Sequence, residues 1–93
     1  MVQVWVQLIS PLSNQVGWRE KEYAGDSISD IIAQLQGDFP DNIRENFFEG
    51  DPPILKPYML IFLNNKDIQQ FDGMETVLNN GDIVQIAIAL GGG

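Results

Sequence analysis

Ile28, Ile31, Ile32 and Leu35 fall at i, i+3, i+4 and i+7, the apolar stripe of an amphipathic helix. The segments on either side read as strands. Val2, Val4, Val6 and Leu8 alternate with Gln3, Trp5 and Gln7, and Tyr58 to Leu63 is an unbroken apolar run. A single such helix between two groups of strands has to bury its stripe across one face of one sheet, so the expected class is α+β. With 93 residues there is room for one domain. The chain has no cysteine and no histidine, so no disulfide or Cys/His zinc site can staple it, and a packed core must hold it together.

Turn chemistry divides the chain further. Ser10 to Gln15 reads as a turn after the first strand, and Val16 to Tyr23 as a second strand paired with it in a hairpin. Ser27 can cap the helix, with Asp30 near the reciprocal position of a capping box, and Gly37 is a natural stop. Asp41 to Phe48 reads as a shorter helical turn burying Ile43 and Phe47 or Phe48, with residues 49–53 as loop. Tyr58 to Leu63 has the composition of a strand buried on both faces. A tight turn at 64–67, a short strand from Ile68 to Phe71, a helical turn or short crossing segment at 74–78 and a strong turn at 79–82 lead to a last strand, Ile83 to Ile88.

Composition removes several function classes. Thirteen acidic and five basic residues give a net charge of −8, the opposite of a nucleic-acid footprint. An anionic membrane surface would repel the chain, whereas a basic docking surface would attract it. No apolar stretch approaches the ~18 residues of a transmembrane helix. The first residues lack the basic region of a signal peptide, so a cytoplasmic protein is expected. Without histidine or cysteine there is no Ser-His-Asp or Cys-His centre, and no pair of carboxylates is placed in a recognisable cleft. The expectation is a non-enzyme with no metal site and no bound cofactor.

The sequence ends Ala87-Ile88-Ala89-Leu90-Gly91-Gly92-Gly93. Glycine has no Cβ, so such a tail can enter a channel too narrow for side chains and present its carboxylate there. Extended, residues 89–93 reach about 16 Å at ~3.3 Å per residue. Taken alone, the tail also fits a loose terminus or a linker remnant.

The C-terminal third changes that balance. Asn64-Asn65-Lys66-Asp67-Ile68, Asp72-Gly73-Met74-Glu75-Thr76-Val77-Leu78, and Asn79-Asn80-Gly81-Asp82-Ile83-Val84-Gln85-Ile86 occur in order before Gly92-Gly93. This series resembles the MoaD/ThiS family of ubiquitin-like sulfur carriers, most closely its MoaD branch. The family shows an apolar strand ending in Asn, a GL-x-T-x-L step, GD-x-V-x-I and a terminal Gly-Gly. Residues 1–37 agree in pattern rather than motif. Ala87 to Leu90 stands where the family usually carries a Pro-containing segment, and Gly91 is an extra glycine.

The resemblance implies a β-grasp: a mixed sheet of about five strands with one main helix across one face, formed by residues 1–88. Residues 89–93 would be an extended, flexible tail. It implies a carrier that a partner adenylyltransferase of the MoeB/ThiF type activates with ATP and Mg²⁺ at the Gly93 carboxylate. A sulfur donor then displaces AMP to leave a thiocarboxylate. Leu90, Gly91 and Gly92 would thread into the partner. The branch implies the small subunit of molybdopterin synthase, with a MoaE-type large subunit as second partner, in a heterotetramer, for molybdenum cofactor biosynthesis. With no cysteine, no side-chain thiol could carry the sulfur instead.

Alternation places Val4, Val6, Ile61, Leu63, Val84 and Ile86 toward the helix, and Trp5, Leu60, Phe62 and Ala87 on the opposite face as a candidate docking patch. Cover by residues 38–57, or a one-residue slip in parity, are the alternatives. Three other functions stay open: a modifier conjugated through Gly93 to lysines, a carrier for thiamine, cysteine or tRNA-thiolation sulfur, and a passive interaction domain.

Overall fold

A computed structural model describes residues 2–89. In chain order the elements are β1 (Gln3–Leu8), α1 (Leu12–Val16), β2 (Glu20–Ala24), α2 (Ile28–Leu35) and α3 (Asp41–Phe47), then β3 (Phe48–Glu49), β4 (Ile54–Leu55), β5 (Met59–Leu63), β6 (Lys66–Asp67) and β7 (Ile83–Ile88). Five strands form one sheet in the order β2-β1-β7-β5-β6, and β3 pairs with β4 in a separate two-stranded ribbon. The first and last strands run parallel at the centre, Val6 beside Val84 and Leu8 beside Ile86. The other pairs in the sheet are antiparallel. This is the β-grasp, ubiquitin-like arrangement.

Burial explains why the sheet closes here. Val4, Val6, Val84 and Ile86 are fully buried, and so are Ile28, Ile31, Ile32 and Leu35 on α2. The two periodicities meet face to face, each element covering the other's apolar side. At the start of α2 the Ser27 hydroxyl accepts from the Asp30 N–H at 3.3 Å. The Asp30 carboxylate reaches back to the Asp26 N–H at 3.0 Å, one residue earlier than a capping box requires. Just before, a Cβ on Gly25 would stand 2.9 Å from Asp30 Cβ, so the sharp passage from β2 into α2 needs glycine.

Several boundaries differ from the sequence reading. Residues 10–15 are not a plain turn. Leu12 and Val16, one helical turn apart, are both buried and draw this stretch into α1. Gly17, at φ 99°, closes α1 in the left-handed conformation, and β2 therefore begins at Glu20 rather than Val16. α2 ends at Leu35, two residues before Gly37; Gly37 sits inside the 3-10 turn that follows, Gln36–Asp38, without the positive φ of a glycine cap, and the chain becomes extended at Phe39-Pro40. Ile68 to Phe71 is not a strand. The Asp67 carboxylate accepts from the Gln69 N–H at 2.8 Å and turns the chain into a 3-10 turn, Ile68–Gln70, so pairing stops at Lys66–Asp67. Nor is 58–63 buried on both faces: Met59, Ile61 and Leu63 are buried, Leu60 and Phe62 only half so. The loop at 49–53 is flanked by the β3–β4 ribbon, and Phe47 and Phe48 are both buried, Phe48 meeting the Phe39 ring edge-on at 4.9 Å. A 3-10 turn at Gly73–Glu75 stands where residues 74–78 suggested a helical turn, and Val77 then bridges to Ser27.

Among the described residues no helix is long and apolar enough to cross a membrane.

Candidate functional site

The central strand β7 carries the chain toward its glycines. Ile88 stands opposite Met59 at the start of β5. One residue further the Ala89 N–H donates to the Tyr58 carbonyl at 2.8 Å, and the Ile9 N–H donates to the Ile86 carbonyl at 2.9 Å. The root of the tail is thus held on both sides, by the end of β1 and the start of β5. Gly93, the expected acceptor, and Leu90, Gly91 and Gly92, the expected threading residues, lie outside the described residues.

On the sheet face away from α2, the register arranges side chains in rows. Trp5, 42% exposed, is beside Ile83 and Glu22. The next row is polar: Gln85 Nε2 donates to Gln7 Oε1 at 3.0 Å, and Gln7 Nε2 donates to Glu20 Oε1 at 2.9 Å. Phe62 continues this row between Gln85 and Asp67, and Leu60 pairs with Ala87 in the row nearest the tail. All four predicted patch residues occupy this face, but they do not form one patch. Two strand spacings of about 4.8 Å and four residues of about 3.3 Å separate Trp5 from Leu60 by roughly 16 Å, with the glutamine row between them.

Leu60, Phe62 and Ala87 instead adjoin two residues that periodicity did not single out, Ile9 and Tyr58, which are 39% and 43% exposed. Ile9 lies one residue past β1 and Tyr58 one residue before β5, each on the parity of its strand's outer face. The signal that could have found them is pairing with the last strand, which requires the topology.

Charge is unevenly distributed around this site. No aspartate or glutamate occurs in residues 8–19, 54–63 or 83–93, the segments that converge at the tail root. Arg19 and Lys56 are the charged residues there, so the thirteen carboxylates that set the net charge belong to the rest of the molecule.

The titrating group that does stand out is elsewhere. Tyr23, on β2 opposite Val4, donates its hydroxyl to Asp38, and burial first, then that hydrogen bond and the Asp38 charge, push it well above the usual phenol range. Lys21 Nζ approaches the same carboxylate at 3.7 Å and the Trp18 ring at 4.8 Å. This cluster ties β2 to the turn after α2. Among the described residues, no group of three His, Cys, Asp or Glu is placed to hold a metal ion.

No family model matches the sequence, and no curated relative does. Solved structures do. The small archaeal modifier protein 1 (SAMP1) from Methanosarcina acetivorans is 28% identical, with a TM-score of 0.85 over 100% of this chain and 98% of that one. CysO from Mycobacterium tuberculosis is 25% identical, with a TM-score of 0.72 over 94% and 99%. A chain of the BexX/CysO complex from Amycolatopsis orientalis shares the fold at 22% identity and a TM-score of 0.74, over 97% and 99%. The chain thus shares its fold with a class of small ubiquitin-like proteins, a modifier protein among them. Within that class they do not single out the MoaD branch.

Proposed function

We propose that this chain is a ubiquitin-like sulfur carrier that works through the carboxylate of Gly93. The observation that carries the reading is the central strand β7, which leads toward the terminal glycines and is rooted by the Ala89–Tyr58 hydrogen bond between segments 8–19 and 54–63, which contain no Asp or Glu. A carboxylate is a poor electrophile. A partner adenylyltransferase using ATP and Mg²⁺ joins it to AMP with release of pyrophosphate, and a sulfur donor displaces AMP to leave the thiocarboxylate. Glycine places no side chain beside the attacked carbon. The half-buried and exposed apolar residues around the root, Ile9, Tyr58, Leu60, Phe62 and Ala87, dock the partner. The protein supplies the carried group and not the catalyst.

The sequence resemblance makes the large subunit of molybdopterin synthase the first sulfur acceptor to test. A second reading, transfer of Gly93 to protein lysines, draws support from the modifier protein at 28% identity. Intact mass separates the steps. After incubation with an adenylyltransferase of this family, MgATP and sulfide, the chain is expected to gain the mass of one oxygen replaced by sulfur, and a chain lacking Gly92 and Gly93 to gain nothing. No adenylate and no thiocarboxylate, with the enzyme active on its own carrier, would overturn the carrier reading. Lysine conjugates in cell extract with no sulfur transfer would move the assignment to the modifier.

A further inference from the structure

A second apolar feature lies on the other side of β5. β6 covers only Phe62 and Leu63, so among the described residues Met59 to Ile61 have no strand partner on that side. A groove of about 270 Å³ runs along this gap. Its wall includes Met59 and Ile61, which face α2, and also Leu60, which faces the opposite way. Residues of both parities can line one groove only if it follows the edge of the strand rather than either face. Ile54, Leu55 and Ile68 form the facing wall.

The backbone points the same way. Tyr58 and Asn64 direct their main-chain groups to β7, through the Ala89 N–H to Tyr58 O and Asn64 N–H to Ile83 O bonds. Main-chain groups alternate sides along a strand, so Met59 and Ile61 present theirs to the groove. Met59 uses its N–H on the Lys56 carbonyl at 2.9 Å.

We infer that this edge is a strand-addition site for an extended aliphatic segment of a partner protein, with a carboxylate opposite Lys56 and a cation opposite Asp67. The two charged residues mark the two ends of the groove, and its apolar wall between them accepts one branched side chain. Complementary charge selects the occupant. A second copy of this chain brings a net charge of −8 to a surface that already carries −8, so self-association is opposed. The site goes beyond the tail chemistry and does not depend on Gly93.

The test is an amide-resolved NMR titration of the full 93-residue chain with the capped peptide Ac-Glu-Val-Ile-Val-Lys-NH2. Expected are shifts concentrated at Leu55, Met59 to Ile61 and Ile68, slower exchange of the Ile61 amide, and half-saturation near 1 mM, the order expected of one short added strand. Ile54 is 42% exposed, so Ile54→Lys leaves the remaining spectrum in place and weakens binding about tenfold. No shifts at about 5 mM peptide, or shifts centred on Trp5 and Gln85, would overturn the assignment. So would concentration-dependent shifts at the groove without peptide, which would give it to a second copy.

Discussion

At the residue scale, Tyr23 shows how one polar group can fasten two elements. Its ring is buried, and its hydroxyl donates to a carboxylate on the turn after α2. Tyr23→Phe keeps the ring and removes the bond. A hydrogen bond to a charged group is worth up to about 3 kcal/mol, but Asp38 is 40% exposed, so a loss of about 1 kcal/mol is expected. The pH dependence has a definite sign. Folding raises the pKa of this phenol above its ordinary value of 10.0, so its contribution is whole below pH 10 and fades as pH rises beyond it. Urea denaturation of both proteins from pH 7 to 11 should therefore show the wild-type advantage shrinking above pH 10. A constant gap would mean that the bond does not couple to the proton. None of this was legible in the sequence, because Tyr23 and Asp38 meet only when β2 pairs with β1 and α2 crosses behind them.

At the scale of elements, legibility followed periodicity. α2, β1, β5 and β7 carry long apolar repeats, and the sequence placed each of them within about two residues. The misplaced segments are short and held by contacts that repeats do not report. Leu12 and Val16 make a helix of five residues because the core accepts them. Asp67 ends a strand by capping a turn. The turn after β5 shows the same kind of control. Asn64 and Asn65 adopt positive φ, 50° and 71°, which suits a two-residue hairpin. Asn64 also donates to Asp82 at 3.0 Å and accepts from the Ile83 N–H at 3.0 Å, tying this hairpin to the turn that starts β7. Asn64→Ala removes both bonds and leaves a Cβ residue without side-chain support in the left-handed region. A loss of about 2 kcal/mol is expected, read as a lower urea midpoint at unchanged slope. A change below about 0.5 kcal/mol would show that the hairpin holds its register without the clamp.

Across the whole molecule, the acidic side chains are kept out of the three segments around the Ala89–Tyr58 hydrogen bond. At this tail root Ile9 and Tyr58 are exposed, and the charged side chains are Arg19 and Lys56. A long-range field from the acidic body can speed encounter with a basic partner, while the contact that decides affinity is made by uncharged side chains. The sequence located the open sheet face but joined Trp5 to it as though the face were uniform. The Glu20–Gln7–Gln85 row divides that face, and this row could not be seen before the register was known. The division leads to unequal effects in adenylation of the chain by its activating enzyme, followed by pyrophosphate release. Ala87→Arg puts a long cation into the apolar row beside the tail root. It should raise KM about tenfold, equivalent to ~1.4 kcal/mol, with kcat little changed, because docking is impaired and the carboxylate is not. Trp5→Ala, about 16 Å from Leu60 and beyond the glutamine row, should change KM less than about threefold. Both positions are solvent-accessible enough to keep the fold, which melting temperatures close to wild type would verify. Equal losses in the two variants would show that the partner spans the entire sheet face, and a loss confined to Trp5→Ala would place the docking surface away from the tail.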